Sequence, residues 1–528
     1  MTEAPAVPRT IGVVGAGTMG AGIAQLGCLA GIDTYLHDPF PEALERGGEY
    51  VHRGLLKGVE RARWPEEVAA EAEARLVLAG SIEELSRCEL VIEAAPERIE
   101  LKRELFERLS EVCAPDTVLA TNTSSILVTS LAGAAARPEN VVGMHFFNPP
   151  PLMRLLEVIA AEQTGERALQ MARVTGDAMG KRVIVAGDGP GFLVNRCGRP
   201  FGAEALRLLQ ERVATHDQID RVCRLGGGFR MGPFELMDLV GVDVGFEVAK
   251  SFDAQSFGEP RWKPNALQAR MVAAGRLGRK TGRGWYEYSG DEPHRPEDPP
   301  PPEAGDGEGR RVAIDGASEL AAELRQRALA AGFDAREPGD FGGEEEPELV
   351  IDASVPAPVS DLGLDPVTDR DVPTAVLCAD TSLHARGEPA AVGFHLLPPL
   401  EHVRLVELTR LPTTPEDTAR TFEDLFSKLG MHVEWVGDSP GLVLGRIVCQ
   451  LVNEAAFAVG EGVGEPADVD AGVTLGLNHP RGPVEWGRRI GLDQVLATVD
   501  ALFDELHDPR YRAAPLLRRA AAAGSDLA

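Results

Sequence analysis

Residues 11–20 read Ile11-Gly-Val-Val-Gly-Ala-Gly-Thr-Met-Gly20, a short apolar run that meets a glycine-rich turn of spacing G-x-G-x-x-G. The segment from Ala21 to Ala30 that follows has the composition of a buried helix. A buried strand, a tight glycine turn and a helix in this order are typical of dinucleotide-binding domains, in which the helix N-terminus faces a pyrophosphate. The stretch therefore predicts an α/β Rossmann-type domain at the start of the chain.

The three glycines of the turn have different predicted tasks. The first permits the tight turn, the second lets the backbone approach a pyrophosphate, and the third lets helix and strand pack closely. Asp38 follows 18 residues after the last of them, at the end of the second predicted strand, where a carboxylate can bind ribose hydroxyls and repel a 2′-phosphate. NAD is therefore predicted over NADP. The predicted contacts in the turn are Gly15, Gly17, Thr18, Met19 and Gly20.

Apolar runs alternate with helical patterns through the first 187 residues, which predicts a parallel, doubly wound sheet. A long helical arm is predicted over residues 41–79. After residue 190 the pattern is helical without convincing strands, so residues 188–290 are predicted to form a separate all-α domain. The predicted strands are 11–14, 34–36, 90–94, 118–120, 141–144 and 182–185.

The chain contains an internal duplication at an offset of 250 residues. Gly143-Met-His-Phe-Phe-Asn-Pro recurs as Gly393-Phe-His-Leu-Leu-Pro-Pro, and Gly-Pro-Phe-Glu at residue 232 recurs as Gly-Pro-Val-Glu at residue 482. Between the copies, residues 291–310 hold six prolines, three glycines and seven acids, a composition that predicts an extended linker. Residues 311–437 are then predicted to be a degenerate Rossmann-like domain and residues 438–528 a second helical domain.

Each copy places a histidine twelve residues before a glutamate, as His145 and Glu157 and as His395 and Glu407. A carboxylate fixes the tautomer of an imidazole and supports its cationic form, so such a pair suits proton transfer near neutral pH. A histidine at the end of a buried strand can also be a satisfied core residue. The nearby cofactor motif favours catalysis by the first pair.

The second copy lacks the polar residues that would make its pair useful. Asn148 becomes Pro398, and Asn195 becomes Gly445. Aligned on its own apolar run, the second copy places Asp315, Ala317 and Leu320 where the first has the three glycines, so no cofactor is expected there. Ser382 approximately matches a serine of the first copy's Thr-Asn-Thr-Ser-Ser segment, residues 121–125. A structural role is predicted for this copy.

Over nearly all of residues 10–290 the chain resembles the L-3-hydroxyacyl-CoA dehydrogenases, through the blocks GAGTMGAGIA, VIEAAPE, TNTSS, GMHFFNPP, LLEVI, DGPGFLVNR, MGPFELMD and GRKTGRGWYEY. The resemblance implies hydride transfer between C3 of an acyl-CoA and NAD, with His145 as the base and Glu157 orienting it. It also implies that Ser124 and Asn195 hold the C3 oxygen. The further cofactor contacts that it implies are Glu97, Lys102, Asn122, Asn148 and Lys280.

The family binds CoA phosphates near the helical arm, where Lys57, Arg61 and Arg63 form a basic cluster, although an exposed helix face explains these residues equally well. The layout of the chain is similar to 3-hydroxybutyryl-CoA or 3-hydroxyadipyl-CoA dehydrogenases of fatty-acid or aromatic-acid catabolism, in β-oxidation-like reactions. A substrate with a distal carboxylate would need a cation, and no residue can be singled out for it. The family's helical domains pair between subunits, so a monomer with an internal pseudo-dimer or a homodimer is expected.

Charge and cysteine usage exclude several other classes of protein. The chain has 82 acidic and 53 basic side chains, a formal charge of −29, which disfavours nucleic-acid and anionic-membrane partners. No apolar run is long enough for a membrane span, and no secretory signal is predicted. The seven cysteines are scattered without a CxxC pair, which predicts a reducing, cytoplasmic location and no metal site.

Two alternative functions stay open at this point. A dehydrogenase of a free hydroxy acid or sugar acid could use the same histidine, glutamate and NAD motif. A nonenzymatic NAD-binding scaffold is a second possibility, although the full set of polar residues argues against it.

Overall fold

The computed structural model of the chain describes residues 6–288, 290, 293–342, 345–354 and 372–527. Two compact units are present. One comprises residues up to Arg196 together with Glu461–Leu477, and the other comprises Cys197–Gly460 together with the residues from Asn478 onward. A segment of the second copy therefore belongs to the unit that holds the first copy's sheet. The domain boundaries drawn from sequence follow the copies instead, and they stay a prediction.

The first unit is built around an eight-stranded sheet. In chain order it contains β1 (Thr10–Val14), α1 (Thr18–Leu29), β2 (Asp33–His37), α2 (Pro41–Glu60), α3 (Glu66–Glu73), β3 (Leu76–Ala79), β4 (Leu90–Glu93), α4 (Ile99–Val112), β5 (Val118–Thr121), α5 (Val128–Ala132), β6 (Val141–Phe146), β7 (Leu155–Ala160), α6 (Glu166–Ala178), β8 (Arg182–Gly187) and the start of α7 (Val194–Gln210). The strand order is β3-β2-β1-β4-β5-β6-β7-β8. The predicted Rossmann-type fold is confirmed.

The sheet departs from a wholly parallel one at β7, which runs antiparallel to β6. Only residues 147–154 connect these two strands. A connection of this length cannot make the crossover that a parallel pair requires, which takes about a dozen residues or more. The predicted arm over residues 41–79 also ends early, because the chain leaves α3 and adds β3 to the edge of the sheet.

The second unit holds a smaller sheet and the helices of both copies. In chain order its elements are the rest of α7, α8 (His216–Arg221), α9 (Pro233–Val240), α10 (Val242–Gln255), α11 (Ala266–Ala273), β9 (Arg311–Asp315), α12 (Glu319–Ala330), β10 (Asp334–Arg336), β11 (Leu349–Asp352), β12 (Thr374–Leu377), α13 (Leu383–Arg386), β13 (Val392–His395), β14 (Leu405–Thr409), α14 (Glu416–Lys428), β15 (His432–Trp435) and α15 (Leu444–Gly460). Next, α16 (Pro466–Leu477) lies in the first unit, and α17 (Pro483–Ile490), α18 (Leu492–Leu506) and α19 (Pro515–Ala523) lie in the second.

The second sheet repeats the strand order of the first without its edge strand. Its order is β10-β9-β11-β12-β13-β14-β15, with β13 and β14 antiparallel, as β6 and β7 are. The predicted duplication is therefore visible in the topology. Residues 337–348 are all that separates β10 from β11, too short a segment for a counterpart of α2, α3 and β3.

A helical segment of each copy packs on the sheet of the other copy. In the first unit the Gly187 amide donates to the Val463 carbonyl at 2.8 Å, and in the second unit the Gly437 amide donates to the Val213 carbonyl at 2.6 Å. The two bonds are equivalent, because Gly437 lies 250 residues after Gly187 and Val463 lies 250 residues after Val213. Each bond joins one copy to the other. Helix α16 of the second copy thus packs on β7 and β8, while the turn after α8 of the first copy packs on β14.

Two ion pairs repeat the same exchange. Arg196 pairs with Glu461 at 2.7 Å in the first unit, and Arg446 pairs with Glu211 at 2.7 Å in the second. A pattern in which position i contacts j and position j contacts i is the signature of an isologous, dimer-like interface. Here both partners belong to one chain.

The helices of the two copies pack together in the second unit around a buried arginine. The Arg446 side chain has no solvent exposure and bonds Glu204, Glu211 and the Tyr511 hydroxyl. Arg261 likewise bonds Glu454 across the two copies, at 2.7 Å. An arginine buried without these acceptors would be costly, so the packing is specific as well as apolar.

The linker is extended in its described part, residues 293–310, which contains no helix or strand there. Within the second unit, ion pairs nevertheless fix it to Arg224 and Glu235 of the first copy's helical region. Arg224 donates two hydrogen bonds to Asp298, at 3.0 and 2.8 Å, and Glu235 accepts from His294 and Arg295. The first two residues assigned to the linker, 291 and 292, lie outside the described residues.

Candidate active site

The glycine turn after β1 leaves open space at a helix N-terminus. Gly15 has φ +103°, and a methyl group placed on it would lie 2.7 Å from the Ala94 carbonyl oxygen. A methyl group on Gly20 would lie 1.8 Å from the Gly15 carbonyl, whereas one on Gly17 would meet nothing within 4 Å. Gly17 is also the N-cap of α1 and provides no side-chain acceptor for its first amides. The turn therefore presents the N–H donors of the helix N-terminus in a cradle that no side chain fills, a geometry that fits a pyrophosphate.

The other residues of the turn are arranged around this cradle. Thr18 is exposed, and Met19 packs against the core of the unit. Asp38 follows β2, and its two carboxylate oxygens accept hydrogen bonds from the Ala16 and Phe40 amides at 2.9 and 3.0 Å. The carboxylate is thereby held next to the turn, with remaining lone pairs for ribose hydroxyls. These residues fit NAD as the cofactor.

His145 and Glu157 face each other because they are register partners on the antiparallel strands β6 and β7. The His145 Nδ1 atom lies 2.7 Å from a Glu157 carboxylate oxygen. An ionised carboxylate can only accept, so Nδ1 carries the proton and Nε2 keeps its lone pair. The ring is 6 % exposed and packs against Phe147, with ring centroids 4.7 Å apart.

Glu157 is tied to the start of α7. Its second oxygen accepts hydrogen bonds from the Leu193 and Val194 amides, at 3.2 and 3.0 Å, and the side chain has no solvent exposure. A helix N-terminus favours an ionised carboxylate. Asn195 is the next residue of the same helical turn and is half-buried. The helix that presents Asn195 is thus bonded to the carboxylate that orients His145.

The loop that carries Ser124 is organised by Glu97. One Glu97 oxygen accepts from the Thr123 hydroxyl and from the Ser124 and Ser125 amides. Burial raises the pKa of the Glu97 carboxyl, but Lys102 and these hydrogen bonds outweigh it and hold that pKa below its ordinary value. Ser124 itself is exposed.

Lys102 is buried, at 1 % exposure, and donates to Glu93 at 2.6 Å and to the Ala95 carbonyl at 3.2 Å. Its Nζ atom also lies 3.2 Å from Glu97. With these acceptors in place, Lys102 acts on the site by holding the Glu97 loop. Glu93 also accepts from the Thr121 hydroxyl at 2.7 Å. Glu93 was not singled out from the sequence, although an acid that ends a buried strand is a recognisable signal.

Two asparagines lie near His145 in the sheet and in the sequence. The Asn122 carboxamide oxygen accepts from the Phe146 amide at 2.8 Å, which joins the end of β5 to the residue after His145. Asn148 follows β6 and is exposed. Asp188 is a second residue that the sequence analysis missed, since both its oxygens accept from the first amides of α5, at Val128 and Thr129.

Comparison with known proteins gives the same assignment in both halves. The profile described as 3-hydroxyacyl-CoA dehydrogenase, NAD binding domain matches residues 10–189. The profile described as 3-hydroxyacyl-CoA dehydrogenase, C-terminal domain matches twice, at residues 191–288 and 441–525. The chain is 34 % identical over 519 residues to 3-hydroxyadipyl-CoA dehydrogenase of Escherichia coli K12, with 97 % of each chain covered. The chain belongs to the 3-hydroxyacyl-CoA dehydrogenase family.

Other members of this family match one or both copies. A 3-hydroxybutyryl-CoA dehydrogenase of Bradyrhizobium diazoefficiens is 38 % identical over 54 % of this chain and 98 % of its own. A crystal structure of 3-hydroxybutyryl-CoA dehydrogenase from E. coli K12 has a TM-score of 0.81 and 31 % identity, and 98 % of this chain and 99 % of that one are covered. The predicted family, the NAD cofactor and the enzyme class, an NAD-dependent oxidoreductase, are confirmed.

Four further site residues were predicted, Lys280 and the basic residues near the end of α2. Lys280 belongs to the second unit, where its Nζ atom lies 2.6 Å from an Asp243 oxygen. Lys57, Arg61 and Arg63 are all exposed, at the end of α2 and just beyond it. Their predicted roles toward cofactor and CoA stay predictions.

The glycine turn of the second copy differs from the sequence alignment by one residue. Gly316, with φ +127°, takes the place of Gly15, because a methyl group there would lie 2.8 Å from the Ala353 carbonyl, just as Gly15 approaches Ala94. The prediction that Asp315, Ala317 and Leu320 replace the three glycines is therefore wrong. Asp315 ends β9, and the replacements are Gly316, Ser318 and Ala321.

Ser318 changes what the turn can bind. It is the N-cap of α12, and its hydroxyl accepts from the Ala321 amide at 3.3 Å. Arg325 also donates to the Gly316 carbonyl at 3.2 Å. An amide of the helix N-terminus that is free in the first copy thus has a side-chain partner in the second. Ser382 is also an N-cap, of α13, with its hydroxyl accepting from Ala385.

The second histidine is packed into the position that an asparagine holds in the first copy. His395 Nδ1 lies 3.7 Å from Glu407 and has no hydrogen-bond partner among the described residues. A methyl group on Gly445, the counterpart of Asn195, would lie 2.3 Å from His395 Nε2. No residue with a Cβ fits there without displacing the ring.

Among the described residues, no helix is long and apolar enough to cross a membrane. Within the same part of the chain, no group of three or more histidine, cysteine, aspartate or glutamate side chains could hold a metal ion.

Proposed function

We propose that the first copy oxidises (S)-3-hydroxyacyl-CoA to 3-oxoacyl-CoA with NAD, and catalyses the reverse reaction, with His145 as the general base. The observation that carries this proposal is the buried His145–Glu157 pair, bonded at 2.7 Å and tied by two amides to the start of α7. In the second copy, His395 Nδ1 and the Glu407 carboxylate are 3.7 Å apart, and the His395 ring packs against Gly445.

In the proposed mechanism the 3-hydroxyl group gives its proton to His145 Nε2. Glu157 stabilises the imidazolium that forms, because its carboxylate accepts from Nδ1 throughout. NAD, when bound, supplies the acceptor for the hydride that leaves C3. Ser124 and Asn195 would donate hydrogen bonds to the C3 oxygen as it becomes a carbonyl. In reduction, His145 returns the proton to that oxygen.

The cofactor assignments extend this proposal. Gly15, Gly17 and Gly20 would hold the pyrophosphate, with the amides of Thr18 and Met19, and Asp38 the adenosine ribose. Glu97 and Lys102 would support the loop beside the nicotinamide ribose, and Asn122, Asn148 and Lys280 complete the proposed set. Lys57 and Arg61, exposed at the end of α2, are the proposed contacts of the CoA phosphates.

A role in β-oxidation-like catabolism of fatty or aromatic acids is proposed from the relatives. The E. coli relative named 3-hydroxyadipyl-CoA dehydrogenase matches 97 % of both chains and thus spans both copies. A cytoplasmic location is proposed because all seven cysteines are buried and none belongs to a CxxC pair. The isologous contacts within the chain support a monomer with an internal pseudo-dimer.

The test is the oxidation of NADH by acetoacetyl-CoA, followed by absorbance, for wild type, His145→Ala and His395→Ala. Loss of the base should lower kcat by about 10²- to 10⁴-fold, the usual contribution of general-base catalysis. His395→Ala should keep kcat within about twofold of wild type, since its ring faces Gly445. Retained turnover in His145→Ala would overturn the proposed role of the histidine.

A further inference from the structure

Helix α16 belongs to the second copy but packs beside the catalytic pair of the first. It lies in the first compact unit, against β7 and β8. Three contacts fix its position there. The Gly187 amide donates to Val463, Arg196 pairs with Glu461 at 2.7 Å, and Arg182 pairs with Asp468 at 3.1 Å.

Glycines give this segment its close approach to the first copy. A methyl group on Gly472 would lie 2.7 Å from Val194 Cγ2, and one on Gly476 would lie 3.0 Å from Phe147 Cε1 and 3.1 Å from Val194 Cγ1. A methyl group on Gly464, just before the helix, would lie 2.6 Å from Leu193 Cδ2. Gly472 and Gly476 are four residues apart and so share one face of α16.

The residues that Gly464 and α16 contact include those that hold the catalytic pair, besides Leu155 and Ile184 of the sheet. Leu193 and Val194 donate the two amide hydrogen bonds to Glu157. Phe147 packs its ring against the ring of His145. Any side chain that pushes α16 outward, or pushes Val194 and Phe147 inward, must therefore change the geometry of both members of the pair.

The equivalent contact on the second sheet is made from different positions: a methyl group on Gly227 would lie 2.8 Å from Leu444 Cδ1. The counterparts of Gly472 and Gly476 in the first copy are Val222 and Gly226. A methyl group on Gly226 would lie 3.5 Å from Leu444, an ordinary van der Waals distance. The close approach through Gly472 and Gly476 is thus found beside the intact histidine pair, whereas on the second sheet a valine takes the place of the first glycine and the close approach is at Gly227, the counterpart of Leu477.

We propose that α16 is a positioning element of the active site, and that the degenerate copy serves catalysis in the first copy through Gly472 and Gly476. The proposal rests on the proposed function of His145. Gly476 and Gly472 act through Val194 and Phe147 and contact no reacting atom. The second copy is then required for turnover although it has no reaction of its own.

The test compares Gly476→Val with Gly226→Val, its counterpart on the second sheet, in the full-length chain. Gly476→Val should lower kcat per NADH-binding site about 10- to 100-fold, because displacements of about 1 Å have effects of this size. The KM for NADH should stay within about twofold, and the acid limb of the pH–rate profile should move, since the partner of His145 is disturbed. Gly226→Val should leave all three unchanged.

A merely structural role predicts a different result. Gly476→Val would then lower the thermal midpoint while kcat per binding site and the pH profile of the folded enzyme stay at wild-type values, and this outcome overturns the proposal. If Gly476→Val does not fold, Gly476→Ala and Gly472→Ala replace it, with an expected decrease in kcat of about 3- to 10-fold.

A second readout does not depend on the substrate. Diethyl pyrocarbonate modification of His145, followed by mass spectrometry, should be at least about threefold faster in Gly476→Val than in Gly226→Val. The His145 ring is 6 % exposed, and displacement of Phe147 would loosen the packing that shields it. Equal rates overturn the positioning role even if acetoacetyl-CoA is not turned over. Faster modification with no turnover in wild type would instead place the failure in the proposed function.

Discussion

Replacing Glu157 by glutamine is the sharpest test of the catalytic pair. The carboxylate has no solvent exposure and accepts three hydrogen bonds, from His145 Nδ1 and from the Leu193 and Val194 amides. A carboxamide has one acceptor oxygen and one donor NH₂ group. If the oxygen stays with the two amides, the NH₂ group faces His145 Nδ1, and the proton must move to Nε2. The imidazole then lacks the lone pair that accepts the substrate proton.

The size of the effect follows from these three bonds. A hydrogen bond to a charged group contributes about 1.5–3 kcal/mol, and restoring the active tautomer against an opposed donor costs about 1–3 kcal/mol more. Together these give about 2.5–6 kcal/mol in the barrier. At about 1.4 kcal/mol per factor of ten, Glu157→Gln should lower kcat about 10²- to 10⁴-fold.

The assay is NADH oxidation by acetoacetyl-CoA, with NADH affinity measured separately by fluorescence. Affinity should be unchanged, because Glu157 does not contact the glycine turn. Glu407→Gln is the matched control, since Glu407 also accepts two amides, those of Val443 and Leu444 with one on each oxygen, while His395 Nδ1 lies 3.7 Å away. A kcat within threefold of wild type for Glu157→Gln, or an equal loss in Glu407→Gln, would refute the reasoning.

Two further predictions concern the cofactor and the interface. Asp38→Ser should raise the ratio of kcat/KM for NADPH over NADH at least about tenfold, because it removes a ribose acceptor and a charge that repels the 2′-phosphate; a ratio that stays within threefold would contradict the assignment. Arg446→Met should lower the free energy of unfolding by about 3–5 kcal/mol, because Glu204, at 4 % side-chain exposure, loses the cation at 2.8 Å and keeps only Arg510 at 3.7 Å. Arg518→Met, which breaks the exposed pair with Asp500, should cost no more than about 1 kcal/mol in the same thermal unfolding experiment.

Small changes distinguish the second copy from the proposed active site of the first. Ser318 gives a helix amide a side-chain acceptor, and Gly445 makes room for the His395 ring. Neither change disturbs the sheet, whose strand order follows that of the first copy. Such changes are compatible with retention of the fold, because a site depends on a few atoms at the strand ends while the fold depends on the buried strands themselves.

Much of the fold could be predicted from local sequence. The six strands predicted in the first copy are all present, because a buried strand that ends in glycine or polar residues is recognisable without knowledge of its neighbours. Strand β7 was not predicted, because only eight residues separate its Leu-Leu-Glu-Val-Ile run from β6. Its direction depends on that short connection. The second glycine turn was misplaced by one residue because a positive φ at Gly316 is a property of the backbone, not of the residue letters.

The candidate site was also predictable only in part from the sequence. The sequence determined which residue types are present, that His145 and Glu157 are twelve residues apart, and that the chain carries two copies. The family resemblance then assigned roles to named positions. Lys102, predicted near the cofactor, proved to be buried against Glu93, since only burial in three dimensions decides where a long side chain ends.

The sequence by itself thus determined the fold class, the duplication and the loss of polar residues from the second copy, because these depend on local pattern and residue identity. Only the tertiary structure decided that α16 packs on the first copy's sheet and the turn after α8 on the second. The two copies have closely similar helices and strands, so helix periodicity tells which face of α16 is buried but not which sheet buries it. That choice depends on the fit of Gly472 and Gly476 against Val194 and Phe147, a property of atoms far apart in the chain.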